Sequence, residues 1–363
     1  MFAMPSFAET SSRASAARAA FAAALPASLA APMSCRTFVK VAGAAALAAS
    51  AFASPLALAG CNREGGSGPR KVTIGTLATE DFLPVWVAEA EGLFDTNVVD
   101  VHIQTFMSAT ELQAGIKSGQ VDLAMTDPMV TAGIFVSGTN VRIQWITLGA
   151  TAAQGRFGIM VNADNYAAGY TSLNKLAGVE IGVGSNTILE YVMDKLMAAA
   201  GVPANRVKKT ELQKLPIRYQ NMVDGVITAA ALPASLLALG EANGCVCIGD
   251  DTAGENISQS VMIARADFLE ADADGSVMQA LRESWNAAVG RINAAPANYR
   301  ALLVEKASLN EALAETYPVS TYPSCQLPTS AMIDPVIEWM QEKGYQEYAI
   351  TYNPETGAYL PAV

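Results

Sequence analysis

The chain has 363 residues, of which 51% are hydrophobic and 16% are charged, and its formal net charge is −11. The length favours two domains, and the acidic balance excludes a generally basic nucleic-acid-binding protein. One histidine and five cysteines without a CxxC pair argue against a histidine-rich metal site, a zinc ribbon and a thioredoxin-type motif. We therefore predict a chain with no metal, no cofactor and no nucleic-acid partner.

Residues 1–60 have the composition of an export leader. A short cationic segment, 34–40, is followed by an uncharged, alanine-rich run and then by Leu58-Ala59-Gly60-Cys61. This order is typical of a secretory signal peptide. Its last four residues resemble the bacterial lipobox, in which the cysteine carries a diacylglycerol and becomes the new N-terminus. We predict lipidation at Cys61 and a flexible tether over residues 61–70.

The leader leaves several alternatives open. Translation starts at Met1 or Met33, and the cationic segment resembles a twin-arginine signal with Cys35 in place of the first arginine, so the export route is not fixed. A transmembrane anchor or a buried helix is the alternative to a lipoprotein, but the run is mostly alanine and Pro55 interrupts it. A lipidated chain would be exported and held at the outer face of the cytoplasmic membrane, or on its periplasmic side.

From Lys71 onward, short apolar strands alternate with helical patterns. Strands are predicted at 71–77, 99–106, 121–125, 141–148, 157–161, 179–183, 207–212, 226–231, 246–249 and 258–265. Helices are predicted at 84–94, 108–119, from 128, 187–200, 219–224, 232–240, 277–293, 299–316 and 329–343. This alternation predicts an α/β fold with mostly parallel sheets. Two blocks predict two lobes: 71–160 plus 258–363 form lobe I, 161–257 form lobe II, and two crossing strands connect them.

Three polar residues have the spacing of helix N-caps. Ser108 and Thr187 each precede a glutamate by three residues, and Asp127 is followed by a proline. Ligands of open α/β sheets bind beyond the carboxyl ends of the strands, where helix N-termini offer unpaired N–H groups to polar or anionic ligands. These positions are therefore candidate ligand loops, with capping alone as the alternative.

The loop after the first strand adds acidic and aromatic candidates. Phe82 and Trp86 are predicted to form the apolar wall that small-molecule sites usually have, with a core position as the alternative for Trp86. Glu80 and Asp81 form a solvated pair or, if they line the cleft, disfavour an anionic ligand. His102 lies within an alternating strand and is interpreted as a structural or surface residue.

Three cysteines remain once Cys35 and Cys61 are assigned to the leader. Cys245 and Cys247 are separated by one residue at a predicted strand, and the extended backbone there argues against a bridge between them. A bridge from one of them to Cys325 and three free thiols both remain open, because an exported protein permits disulfides.

Three segments carry a family resemblance. LPVWVAEAEGLF at 83–94, LQAGIKSGQVDLA at 112–124 and LNKLAGVEIGVG at 173–184 resemble substrate-binding proteins of ABC importers. The chain is most similar to the group that takes up nitrate, taurine, alkanesulfonates or thiamine-pyrimidine precursors, the NMT-like family. The resemblance covers nearly all of residues 71–350.

The resemblance implies a type II periplasmic-binding-protein fold, in which two lobes close on a ligand about a two-strand hinge. The family's ligand loops fall by position on Asp81-Phe82, Ser108-Ala109, Thr126-Asp127, Ser185-Asn186-Thr187 and Ala231-Leu232. Many members have an acidic residue before the proline of the last loop, where this chain has Leu232.

The expected function is solute binding without catalysis. A monomeric lipoprotein would deliver a small organic solute to an ABC permease. Aromatic walls beside Glu80 and Asp81 favour a heteroaromatic ligand such as a thiamine precursor, and a sulfonate is the alternative because helix N-termini bind it without arginine. A pyrimidine-synthase-like enzyme that uses a histidine, and a surface sensor on the same fold, are the alternative functions.

Overall fold

The computed structural model describes residues 68–362. The leader, the lipobox Cys61 and most of the predicted tether lie outside the described residues. Arg70, which the sequence assigns to the tether, is instead the first residue of a strand: its N–H donates to Val98 O at 2.8 Å and its guanidinium to Phe268 O at 3.0 Å. No helix in this range is long and apolar enough to cross a membrane.

The strands of the described range form two sheets. They are β1 (Arg70–Leu77), β2 (Val99–Phe106), β3 (Leu123–Thr126), β4 (Val141–Leu148), β5 (Phe157–Val161), β6 (Glu180–Val183), β7 (Lys208–Glu211), β8 (Ala229–Pro233), β9 (Val246–Asp250), β10 (Ser260–Arg265), β11 (Ile350–Asn353) and β12 (Ala358–Pro361). The seven-stranded sheet has the order β11-β12-β4-β10-β3-β1-β2, and the five-stranded sheet has the order β7-β6-β8-β5-β9. We call the parts of the chain built on them the first and second lobes.

Helices cover both sheets. They are α1 (Leu83–Ala90), α2 (Ala109–Lys117), α3 (Pro128–Val136), α4 (Ala163–Ala167), α5 (Ile188–Ala199), α6 (Leu215–Val223), α7 (Ala234–Ala242), α8 (Ala266–Ala271), α9 (Ser276–Ala294), α10 (Arg300–Lys306) and α11 (Ser330–Glu342). The two-lobed α/β class predicted from the alternation is therefore confirmed.

The sheets are mixed, so the prediction of mostly parallel sheets is wrong. β2, β1 and β3 are parallel neighbours, as are β7, β6 and β8. β10 and β12 in one sheet and β5 in the other run against both of their neighbours. β5 and β10 each enter their sheet directly from the other sheet, and β12 follows β11 through a hairpin. None of the three is therefore the second strand of a β-helix-β unit, the crossover connection that places strands of one sheet parallel.

The chain crosses between the sheets twice, at residues 149–156 and 251–259. The two segments touch, because Asn256 Nδ2 donates to Gly149 O at 2.9 Å. Gly149 has a φ of 87°, and a Cβ there would lie 2.1 Å from Ser258 O, so only glycine fits this approach. All of β5 lies in the five-stranded sheet. The lobe boundary predicted from the sequence, at residue 160, therefore falls inside this strand. The first crossing lies before Phe157 because that apolar strand pairs with β8 and β9.

A hydrophobic core lies between the seven-stranded sheet and helices α1, α9 and α10. Helix α1, LPVWVAEA, has six buried residues in its first two turns. Phe82 and Trp86 belong to this core, with exposed fractions of 0% and 2%, and their rings meet edge to face at 5.5 Å. An aromatic pair of this geometry adds about 1 kcal/mol beyond its buried area. The sequence-based assignment of these two rings to a ligand wall is therefore not supported.

The C-terminal region differs most from the sequence prediction. The expected helix over 299–316 is divided into α10 and a 3-10 turn at Glu311–Glu315, and the chain ends in an unpredicted hairpin, β11–β12, at the edge of the seven-stranded sheet. Its Tyr352 and Tyr359 are buried there. Among the described residues, Cys245, Cys247 and Cys325 are free thiols, which corresponds to the alternative without a disulfide between them.

Candidate ligand-binding cleft

A cavity lies between the two lobes at the carboxyl ends of the parallel strands. It has a volume of about 60 Å³, enough to hold several water molecules. The first lobe lines it with Leu77, Thr79, Glu80, Asp81, Ala109, Met125, Thr126, Asp127, Leu148 and Ser260. The second lobe lines it with Phe157, Thr187, Ile188, Leu189, Gln213, Leu215, Arg218 and Pro233.

Asp127 joins two helix N-termini across the cleft. Its Oδ1 accepts the N–H of Val130 at 2.8 Å and so caps α3 as the sequence predicts. Its Oδ2 accepts the N–H of Ile188, the first residue of α5 in the second lobe, at 3.1 Å. Burial raises the pKa of Asp127 to about 6, although both N–H groups favour the charged form.

Glu80 and Asp81 lie in a buried turn, Glu80–Phe82, between β1 and α1. Glu80 Oε2 accepts the N–H of Ser235, in the first turn of α7 in the second lobe, at 3.2 Å, and Glu80 O accepts the hydroxyl of Tyr322 at 2.6 Å. Burial and the neighbouring Asp81 carboxylate raise the pKa of Glu80 to about 8. Burial also raises the pKa of Asp81, although the hydroxyls of Ser260 and Thr79 favour its charged form.

Arg218 is the cationic side chain among the described residues that line the cavity. Its N–H groups donate to backbone carbonyl groups of the second lobe. Its Nε donates to Leu212 O at 2.8 Å and its Nη1 to Ala231 O at 3.0 Å. The side chain is 1% exposed, and burial lowers its pKa to about 10. The guanidinium therefore ties α6 to the strand ends behind the cavity.

The structure brings five of the twelve predicted ligand residues to the cavity: Asp81, Ala109, Thr126, Asp127 and Thr187. Ser108 is buried behind them and caps α2, because its Oγ accepts the N–H of Glu111 at 3.2 Å. Ser185 and Asn186 contact glutamates of their own lobe: Ser185 hydrogen-bonds to Glu211, and the N–H of Asn186 donates to Glu190 Oε2 at 2.7 Å. Whether these residues bind a ligand stays a prediction.

The last predicted loop lies two residues too early in the chain. The sequence starts a helix at Leu232, whereas β8 extends to Pro233 and α7 begins at Ala234. Ala231 and Leu232 are therefore buried strand residues, and Pro233 lines the cavity instead. An apolar run followed by proline does not fix where the strand ends.

Sequence reasoning missed Glu80, Gln213 and Ser260 as cavity residues. The acidic pair at 80–81 carries a signal for Glu80, because both acids are expected either in solvent or in the cleft. Gln213 and Ser260 had no local signal, since one follows a short polar strand and the other begins a strand that returns from the second lobe.

A family model with the description "NMT1/THI5 like" matches residues 79–295, which is more than half of the chain. The chain belongs to the NMT1/THI5-like family. This confirms the family resemblance that the sequence segments carried. No curated protein sequence matches the chain.

Several solved structures share the fold of this chain. Their sequence identities are so low that the likeness shows the fold alone. The alkanesulfonate-binding protein SsuA from Xanthomonas axonopodis pv. citri, bound to MOPS, has a TM-score of 0.62 at 15% identity, over 78% of this chain and 96% of that one. A Candida albicans protein with the generic periplasmic binding protein fold has a TM-score of 0.60 at 13% identity, over 77% and 91%. The nitrate-binding protein NrtA from Synechocystis PCC 6803 has a TM-score of 0.55 at 13% identity, over 67% and 66%.

These neighbours confirm the periplasmic-binding-protein fold of this NMT1/THI5-like chain. The SsuA and NrtA structures are described as binding proteins rather than enzymes. His102, on which an enzymatic reading of the sequence depended, is exposed on β2 and does not line the cavity.

Proposed function

We propose that the chain is an extracytoplasmic solute-binding lipoprotein that captures a small organic solute between its lobes and delivers it to an ABC permease. The observation that carries the proposal is the buried cavity to which both lobes contribute side chains. Its walls are joined by the hydrogen bonds from Ile188 N to Asp127 and from Ser235 N to Glu80. A solute enclosed there would stabilise the closed lobes, which a permease could recognise.

The two lobes that we propose move against each other are those predicted from the sequence, except that the boundary predicted at residue 160 lies at the crossing segment 149–156. The mature protein would be a monomer held to the membrane through a lipid on Cys61, with residues 61–69 as its tether. A pyrimidine-synthase-like enzyme is less favoured, because the chain's one histidine is an exposed residue of β2 and does not line the cavity.

A thermal-shift screen tests the binding function. The protein is unfolded and refolded to remove carried-over ligand, then heated with pyrimidines, thiamine, riboflavin, taurine, alkanesulfonates, nitrate, amines and aromatic carboxylates. A solute at about 100 times its Kd adds roughly 2.7 kcal/mol, which shifts the midpoint by several degrees. A shift with one class supports the proposal and distinguishes a thiamine precursor from a sulfonate. No shift with any class, in protein shown to be refolded, contradicts it.

The lipid anchor needs a separate test. Cys61→Ser removes the thiol that would be acylated, so the variant should lose its lipid by mass spectrometry and leave the membrane fraction unless it is retained as an uncleaved precursor. Membrane association with an unmodified cysteine in the original chain would contradict the lipoprotein assignment.

A further inference from the structure

The cavity carries an excess of acidic groups. Three carboxyl side chains line it, those of Glu80, Asp81 and Asp127, and each residue is at most 7% exposed. Arg218 is the cation among the described lining residues, and it is committed to carbonyl oxygens of its own lobe. The charge of the cavity therefore has no free positive counterpart in its lining.

The amide groups that would suit an anionic solute are already occupied. In the second lobe, α5 and α7 begin at the cleft, and the N-terminus of a helix favours negative charge. The N–H of Ile188 donates to Asp127, and the N–H of Ser235 donates to Glu80. An anion at either helix would have to displace a carboxyl group of the first lobe from these N–H groups and remain close to the acidic cluster, which costs hydrogen bonds and adds charge repulsion.

Asp81 is the acid that the protein leaves incompletely paired. It is 7% exposed, it lines the cavity, and its Oδ1 is buried without a hydrogen-bond partner among residues 68–362. Leaving a buried acceptor unpaired costs about 1–3 kcal/mol, and more for a charged group. A ligand that brings positive charge and an N–H group removes this cost, whereas a carboxylate or sulfonate increases it.

Gln213 offers a second unpaired acceptor from the opposite wall. Its Nε2 donates to Glu211 Oε1 at 2.5 Å. The Oε1 atom of Gln213 itself is buried and has no hydrogen-bond partner within the described part of the chain. A ligand with N–H donors on two sides can therefore contact both lobes. A metal ion is a poor alternative, because the described residues contain no cluster of three potential metal ligands.

We propose that the solute is a small organic cation with N–H donors, a protonated amine or an amidinium, with Asp81 as its charge partner and Gln213 as a second acceptor. This inference rests on the proposed solute-binding function. The proposal distinguishes the chain from an anion-binding protein, because Asp127 and Glu80 already accept the helix N–H groups that an anion would need.

Proton release gives the proposal a readout that does not depend on affinity. Glu80, beside Asp81, has a pKa of about 8 because of burial and its neighbour, so the pair holds a proton at pH 7. A cation favours the charged carboxylates and should expel that proton, so binding releases protons at pH 7 and releases fewer above pH 9. An anion should cause proton uptake, and a neutral ligand should cause little change.

The experiment compares isosteric ligands that differ in charge. The refolded protein is titrated calorimetrically with acetamidinium, acetamide and acetate, with benzamidinium, benzamide and benzoate, and with any ligand from the wider screen. Two buffers of different ionisation enthalpy give the protons exchanged. We expect the amidinium of a set to bind at least tenfold more tightly than its amide or acid, with proton release.

Variants assign the charge partner. Asp81→Asn should fold, since it removes a buried charge, and should lose at least tenfold in cation affinity together with the proton release. Gln213→Leu should lower affinity but keep the proton release. Asp100→Asn, on the exposed side of β2, is the matched control and should behave as the unmodified chain.

The outcomes separate the two proposals. An anion or a neutral compound as the tightest ligand, or unchanged cation binding in Asp81→Asn, overturns this inference and leaves solute binding supported. No binding by any compound contradicts the solute-binding function and this inference with it.

Discussion

The two walls of the cleft contribute different chemistry. The first lobe supplies carboxylates, from Glu80, Asp81 and Asp127, whereas the second lobe supplies helix N–H groups and a buried arginine. Neither wall satisfies all of its polar groups alone, since carboxyl groups of the first lobe accept hydrogen bonds from backbone N–H groups of the second. Closing the lobes therefore satisfies polar groups on both sides, and the cleft is defined by the pairing rather than by either wall.

The largest expected effect comes from the second wall. Arg218→Met removes the donors to Leu212 O and Ala231 O, and leaves buried carbonyl groups unpaired. We expect a loss of about 4 kcal/mol in the free energy of unfolding by urea denaturation. Arg206→Met is the matched control: Arg206 is exposed and donates to Ala177 O at 3.1 Å. If both variants lose the same amount, the buried guanidinium has no special role.

The carboxyl groups of the first wall should make the stability of the protein depend on pH. Glu80 has a pKa of 4.5 as its ordinary value and about 8 in the fold, so the folded state keeps a proton that the unfolded chain releases between these values. Its stabilising contribution is complete below pH 4.5 and is lost as the pH rises through 8. The loss amounts to a few kcal/mol.

Glu80→Gln checks this pH dependence. The variant keeps an acceptor for Ser235 N but cannot ionise, so its stability should fall less between pH 5 and pH 9, and it should exceed the original chain at pH 9. Thermal melting across that range measures both curves. Parallel curves would show that Glu80 titrates normally.

A smaller effect tests the contact between the walls. Asp127→Ala removes the α3 cap and the bond from Ile188 N, two hydrogen bonds worth about 1 kcal/mol each. We expect a loss of about 2 kcal/mol in the free energy of unfolding, measured in urea at pH 8, where Asp127 is charged.

The smallest effect isolates the local part of that loss. Ser108→Ala removes one cap of the first lobe, the bond from Glu111 N, and has no partner in the second lobe. Its cost should be about 1 kcal/mol under the same conditions. If Asp127→Ala costs no more than Ser108→Ala, the bond between the lobes does not contribute to stability.

The sequence by itself determined the elements whose stabilisation is local. Strands at 99–106, 141–148 and 157–161 have the predicted bounds, because each is a short apolar or alternating run with clear breaks. The caps at Ser108 and Asp127 form as predicted, because donor and acceptor lie three residues apart. The family resemblance also lay in contiguous segments, and it indicated the two-lobed fold.

Only the tertiary structure decided which side chains face the cleft. Glu80 and Trp86 belong to one stretch of chain, yet the first lines the cavity and the second lies in the core, because the packing of α1 against α9 buries the aromatic face. Thr187 has the spacing of a cap, but its hydroxyl donates to Gly184 O, and Asp127 of the other lobe accepts the first N–H of α5. Partners 61 residues apart leave no local pattern, because their contact depends on how two lobes meet and not on the neighbours of either residue.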